Sequence, residues 1–410
     1  MPVRHVLGIT GHFGAGRTTT GRILSDRHNY NYLSMSGFLL ESPGEQVSTE
    51  ELQRRGTALR REFGDEALAK KALAEMENEA GKYVVDGIKH PAEAHSLAKH
   101  TDFFLLAVQA SRETRWERLA ERLEQDHNAF DAVDRRDNKE RDRWGARIEP
   151  GQRVADCLEL ADAVIWNDKP YMAPTSAAQE GTLAELAVKI GRVVSLIEFP
   201  GSEPPFPNEI RMAQAYAVSR RSSCPQRKVG AVITNADDRI IAEGYNEVPP
   251  GQPTCLEQHM GCYRRRLREE GMSSIASVFR CPKCQGELTE EITCRDCSEQ
   301  YAHRMPDWRN LDYCRALHAE ENALLQVSRY GGTGVEGGTI YTTTYPCALC
   351  AKKIVQCGIR TVVFTEPYTV KETDDFFRNA NAEVHCFEGF THRAFRRVFH
   401  MTDWEVDINA

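Results

Sequence analysis

Two short segments carry the residues best suited to chemistry: His318-Ala319-Glu320 and Pro346-Cys347-Ala348-Leu349-Cys350. One imidazole and two thiolates can hold a zinc ion tetrahedrally and leave its fourth position to water. A carboxylate two residues after the histidine can shuttle protons beside that water without binding the metal. Bound Zn²⁺ lowers the pKa of water from ~15.7 to about 7, which supplies hydroxide at neutral pH. The spacing therefore points to metal-assisted hydrolysis, with His318, Cys347 and Cys350 as ligands and Glu320 as proton carrier. A closed structural site, with Glu320 on a solvent face, would need a fourth ligand that neither segment supplies.

The elements around these residues must bring them to one point. Periodicity predicts helices over His318–Arg329 and Cys347–Cys357, so both segments lie at helix starts with their dipoles directed at the ion. Pro346 suits a first helical turn. Strands are expected at Gly338–Thr343 and Thr361–Thr365, and upstream at Val229–Thr234 with a hairpin partner at Arg239–Gly244. A further helix is expected from about Asn208 to Arg221.

Between these elements, about 251–312 is polar and cysteine-rich and reads as an insertion. Cys281-Pro282-Lys283-Cys284 and Cys294-Arg295-Asp296-Cys297 are two C-x-x-C pairs separated by nine residues. Four thiolates at that spacing read as a closed zinc ribbon, with a disulfide or redox pair as the alternative. The insertion has few large apolar residues, and metal ligation worth ~10–16 kcal/mol can replace the missing core. Cys224, Cys255, His259, Cys262 and Cys314 form either one more structural site or separate buried cysteines.

The N-terminal half follows another plan. Val3–Thr10, Tyr83–Val85, Phe103–Val108 and Ala163–Trp166 read as strands. Thr18–Arg27, Arg112–Leu123 and Leu183–Leu196 read as helices. This alternation implies a parallel sheet covered on both faces. Gly11-His12-Phe13-Gly14-Ala15-Gly16-Arg17-Thr18 fits the phosphate-cradling spacing G-x-x-x-x-G-K-[ST] except that Arg17 stands for lysine. Asp86 is placed for a magnesium-side carboxylate, so a nucleotide with Mg²⁺ is the expected ligand. A guanidinium differs from an ammonium in reach and geometry, which favours phosphate binding over phosphoryl transfer. The charge-rich run Asp131–Arg147 is either a solvated surface or a lid over bound phosphates.

Glu198–Pro207 holds four prolines and a glycine and marks the linker. It divides the chain into residues 1–197 and 208–410. The fold class is α/β: an N-terminal P-loop NTPase-like parallel sheet and a C-terminal α/β/α domain with the zinc-ribbon insertion.

Composition sets outer limits. The 410 residues are 41% hydrophobic, with a net charge of −8 split as −5 over residues 1–200 and −3 over the rest. Neither half has the basic surplus of a general nucleic-acid binder, which favours a small anionic substrate. No apolar run approaches the ~18 residues of a membrane span, and the N-terminus lacks a signal-peptide pattern. With thirteen cysteines, several in C-x-x-C pairs, metal thiolates in a reducing cytoplasm are expected.

H-x-E followed by P-C-x-x-C is the pattern of zinc nucleobase deaminases. The surrounding segments resemble the deoxycytidylate deaminase family of the cytidine deaminase superfamily. They are Ser222–Ile233 (SSCPQRKVGAVI), Gly244-Tyr245-Asn246 with Pro249, His318–Ala323 (HAEENA) and Thr342–Ile359. The resemblance implies a cytidine-deaminase-like C-terminal fold, Asn246 on the deoxyribose, Tyr368 near the base or sugar, and Arg227 or Lys228 facing the phosphate. It also implies a homo-oligomer, dimer or hexamer.

VVDGIKHPAE, FFLLAV and ADAVIWND resemble the nucleoside monophosphate kinase group, with Arg112, Arg115 and Arg118 on a following helix. The domain order resembles the bacterial anti-phage deoxycytidine nucleotide deaminases. That likeness implies conversion of dCTP and dCMP to dUTP and dUMP, restrained by a small RNA. A housekeeping dCMP deaminase fused to a kinase and a nucleotide-sensing assembly are the alternatives.

Overall fold

The structure, a computed structural model, describes residues 4–42, 44–76, 80–139, 153–168, 176–264, 266, 281, 283–284, 286, 293–299, 314–331, 334–366 and 371–400. The chain forms two compact units, Met1–Ala213 together with Cys386–Ala410, and Gln214–His385. The central part of the expected insertion and the second half of Asp131–Arg147 lie outside the described residues.

In the first unit, β1 (Arg4–Thr10), β2 (Asn31–Ser34), β3 (Gly81–Asp86), β4 (Asp102–Gln109) and β5 (Ala163–Trp166) run parallel in the order β5-β4-β1-β3-β2. Central β1 pairs Leu7 with both Val84 and Phe104. Side chains alternate between faces with the period of two. Leu7, Ile9, Val84, Phe104, Leu106 and Val108 join Leu24 of the helix Arg17–His28 and Ile190 and Val193 of the helix Ser176–Glu198. Val6, Tyr83, Val85, Phe103 and Leu105 pack on the opposite side with Leu68 and Ala72 of Ala67–Glu75 and Leu97 of Pro91–His100. Both faces are covered, which is why these strands read as unbroken apolar runs.

The sequence pattern carries the second domain to residue 410, yet Cys386–Ala410 belongs with the first unit. The short strand Gly389–Phe390 runs antiparallel to β5, with Phe390 opposite Ala163. Phe390, Ala394 and Val398 are fully buried in the first core. Glu388 accepts hydrogen bonds from Lys189 Nζ (2.7 Å) and the Trp166 N–H (3.1 Å). A two-residue strand and a single helical turn are too short to leave a periodic signal.

In the second unit, β6 (Gly230–Thr234), β7 (Ile240–Tyr245), β8 (Thr339–Thr344), β9 (Thr361–Glu366) and β10 (Glu383–Cys386) lie in the order β10-β9-β8-β6-β7. The β6–β7 and β6–β8 pairs are antiparallel and β8–β9 is parallel. The helices Ala319–Tyr330 and Ala348–Gln356 carry the candidate metal ligands at their N-terminal ends. No helix among the described residues is long and apolar enough to cross a membrane.

Candidate functional site

His318 and Cys347 occupy the N-cap positions of their helices in extended backbone, and neither side chain caps its own helix. Both are thereby left to converge. His318 Nδ1 lies 3.3 Å from Cys347 Sγ and 3.4 Å from Cys350 Sγ. Tetrahedral zinc with bonds of about 2.0–2.1 Å to nitrogen and 2.3 Å to sulfur spaces such ligands roughly 3.5 Å apart. The donor set thus fits one zinc ion.

Glu320 is buried beside it, and Cys350 Sγ donates toward Glu320 Oε2 at 3.7 Å. Burial pushes the Glu320 carboxyl up. The Cys347 thiol is pushed down to about 4, first by its hydrogen bond with Cys350 and then, against the effect of burial, by His318. A thiol held down in this way is a ready metal ligand.

Supporting residues fix the helix that bears Glu320. Gly244 on β7 has no side chain because a Cβ there would stand 2.3 Å from the Ala319 carbonyl oxygen and 2.4 Å from the Ala323 nitrogen. The helix backbone lies directly on the strand. Asn322 Nδ2 donates to the Tyr245 carbonyl (2.9 Å), and Lys353 pairs with Glu321 across the two metal-bearing helices.

Of the residues expected to meet substrate, Asn246, Arg227 and Lys228 are described and make defined contacts. Asn246 accepts from the Val229 N–H through Oδ1 (2.7 Å) and donates to the Arg227 carbonyl through Nδ2 (2.8 Å), so its amide staples the preceding turn. Lys228 Nζ turns to the Ser222 carbonyl (2.6 Å), while Arg227 pairs with Glu366 at the end of β9. Tyr368 lies outside the described residues. Glu366 went unnoticed in the sequence; it stands two positions before Tyr368, and no spacing rule marks it.

Cys281, Cys284, Cys294 and Cys297 gather their sulfurs into a second ligand cluster, with Cys281–Cys297 at 3.6 Å and Cys284–Cys294 at 3.3 Å. Four thiolates suit a closed zinc site. Cys224, Cys255, Cys262 and Cys314 line one cavity, but they do not form a compact ligand group comparable to the other two. Among the described residues no cysteine is held in a disulfide.

In the first unit the turn after β1 holds Gly11, Gly14 and Gly16 at positive φ, and Gly16 caps the helix Arg17–His28 without a side-chain partner. Exposed helix-start N–H groups of this kind bind anions. Thr18 Oγ1 (2.9 Å) and Tyr32 OH (2.7 Å) both donate to Asp86 Oδ2. Asp86 Oδ1 and Arg17 Nη1 are buried with no hydrogen-bond partner among the described residues. One orphaned acceptor and one orphaned donor fit a cation and a phosphate respectively.

Arg112 and Arg115 pair with aspartates of the helix His127–Lys139, and Arg118 donates to the Asn167 carbonyl (2.8 Å). Tyr32 went unrecognised because the four-residue strand that carries it was not predicted.

Comparison with known proteins matches residues 207–366 to the family described as cytidine and deoxycytidylate deaminase zinc-binding region, and residues 7–145 to an AAA domain. The chain is 36% identical over 172 residues to the deoxycytidylate deaminase of Enterobacteria phage T2, a span of 42% of this chain and 86% of that protein. It is 32% identical over 183 residues to ComE operon protein 2 of Bacillus subtilis, covering 44% and 71% respectively. Deoxycytidylate deaminase of Homo sapiens is 28% identical over 156 residues, covering 38% and 62%.

Proposed function

Because the chain belongs to the deoxycytidylate deaminase family, we propose that it hydrolyses dCMP and dCTP to dUMP and dUTP with release of ammonia. The observation that carries this reading is His318 set between two cysteine thiols, with the Glu320 carboxyl buried alongside. His318, Cys347 and Cys350 would hold zinc, which supplies Lewis acidity and lowers the pKa of water. Glu320 takes one proton from the attacking water and delivers it to ring nitrogen N3, then carries the second from the new C4 hydroxyl to the amino group, which leaves as ammonia while C4=O forms. Asn246 and Arg227 shape the nucleotide end of the site, and the four-cysteine cluster holds a structural zinc.

The N-terminal unit binds a nucleotide and Mg²⁺ through Gly11, Gly14, Gly16, Arg17, Thr18 and Asp86, and so gates the deaminase. Arg17 in place of lysine supports sensing over phosphoryl transfer. The order of the domains supports an anti-phage role, in which depletion of deoxycytidine nucleotides starves phage replication and a small RNA restrains the enzyme beforehand.

Ammonia release from dCMP, dCTP, CMP, CTP and single-stranded DNA tests the substrate class. Glu320→Gln should lower turnover about 10²–10⁴-fold while zinc content holds. Deamination of DNA alone, or a fully active variant, would refute the assignment.

A further inference from the structure

We propose that Glu366 is a positioning residue that holds the Arg227 guanidinium at the rim of the metal site, where it grips the phosphate of the substrate. The proposal rests on the nucleotide reading above and adds a residue that reading does not contain.

The case begins with the two adjacent cations of the Arg227-Lys228 turn. Lys228 is directed away, its ammonium on the carbonyls of Ser222 (2.6 Å) and Arg220 (3.5 Å). Arg227 is directed inward. Its main chain is pinned by Asn246 Nδ2 on its carbonyl, and its guanidinium meets the Glu366 carboxylate.

Glu366 is itself fixed close to the chemistry. It pairs with Thr344 in the β8–β9 register, and its carbonyl accepts the Tyr345 N–H (2.9 Å), two residues before the ligand Cys347. Asn322 closes the circuit by tying the Glu320 helix to the Tyr245 carbonyl, next to Asn246. A chain of hydrogen bonds and one ion pair therefore runs around the metal site, from one ligand-bearing helix to the other.

The ion pair is set for binding as well as for packing. The Glu366 side chain is 16% exposed and that of Arg227 is 32% exposed, with the paired Nη2 and Oε2 atoms both buried, so the carboxylate is the more deeply set partner and backs the arginine. Guanidinium carries five N–H donors in a fixed planar fork, the geometry that suits carboxylate and phosphate oxygens alike. A long side chain already held in its binding orientation loses less rotamer freedom when an anion arrives. The carboxylate thus acts through the arginine, on substrate binding and not on the proton transfers at C4.

Steady-state kinetics on dCMP with zinc-loaded full-length protein test this through Glu366→Gln, Arg227→Gln and the double variant. Glu366→Gln should raise KM about tenfold with kcat within about twofold, and add nothing further in the Arg227→Gln background. Glu366→Asp, which keeps the charge, should recover part of the KM loss. An unchanged or lowered KM, a fall in kcat alone, or an undiminished effect in the Arg227→Gln background would overturn the proposal. Thermal melts of each variant separate misfolding from misplacement. Failure of the wild type to deaminate dCMP or dCTP would instead remove the nucleotide reading, and this role with it.

Discussion

Gly244→Ala is the sharpest probe of how the fold places the chemistry. The added methyl would stand 2.3 Å from the Ala319 carbonyl oxygen, and ordinary contact begins at 3.4 Å, so the helix Ala319–Tyr330 must retreat by about 1.1 Å. The atoms it meets are main chain, which no side-chain rotation can clear. Ala319 lies between His318 and Glu320, so the shift passes directly to a metal ligand and the proton carrier. Overpacking of this kind costs about 1–3 kcal/mol, which a stable domain survives. Misplacement by about 1 Å is enough to lower turnover roughly 10²-fold. The assay is kcat on dCMP, with zinc content and a thermal melt measured on the same preparation. Gly191→Ala is the matched control: that glycine lies in a helix with nothing within 4 Å of a new Cβ, and alanine should add about 0.5–1 kcal/mol of stability without altering activity. A folded, zinc-loaded Gly244→Ala enzyme within about threefold of wild-type kcat would refute the reasoning, because ~0.7 kcal/mol is too small for the displacement described.

Other consequences can be checked in parallel. Glu93 is fully buried, accepts from Arg60 (2.6 Å) and from the Lys89 and His90 N–H groups, and Glu93→Ala should destabilise the first unit by about 3–5 kcal/mol in urea titrations, since Arg60 is left buried and uncompensated. Burial pushes the Asp162 carboxyl up, so its folded pKa exceeds the unfolded one. Wild type therefore gives up stability as pH rises from the ordinary carboxyl range through the raised value. Asp162→Asn keeps an acceptor for the Leu105 N–H without the charge. Its melting temperature should exceed wild type at neutral pH, with the gap closing below about pH 4; a gap independent of pH would contradict this. Metal analysis should find two zinc ions per chain, and Cys284→Ser with Cys297→Ser should lose one while deaminase activity survives in part.

Much of this was legible in the chain itself. The buried strands Tyr83–Val85, Phe103–Val108 and Ala163–Trp166 announced themselves as apolar runs, and the metal ligands as a donor set with fixed spacing. What stayed hidden has physical causes. Helices Thr49–Phe63 and Pro91–His100 are dense in charged and small residues, and their apolar stripes are thin. Strand Asn31–Ser34 is four residues at a sheet edge, where burial imposes little pattern. Asn246 shows a different limit: the motif marks the residue, but only the structure shows its amide already holding Arg227 and Val229. Glu366 depends wholly on strand register, which no linear reading contains.

The return of the chain end to the first sheet makes one module an insert within the other. Residues 214–385 are spliced into the first unit between its long body and a closing segment that supplies Phe390, Ala394 and Val398. A gene cut at residue 197 would therefore yield a front half lacking part of its own interior, and a back half with a greasy tail attached. A single protease nick in 199–206 should leave the two fragments associated through that tail. Such nesting means the first unit can complete its interior only after the whole of the second has been synthesised.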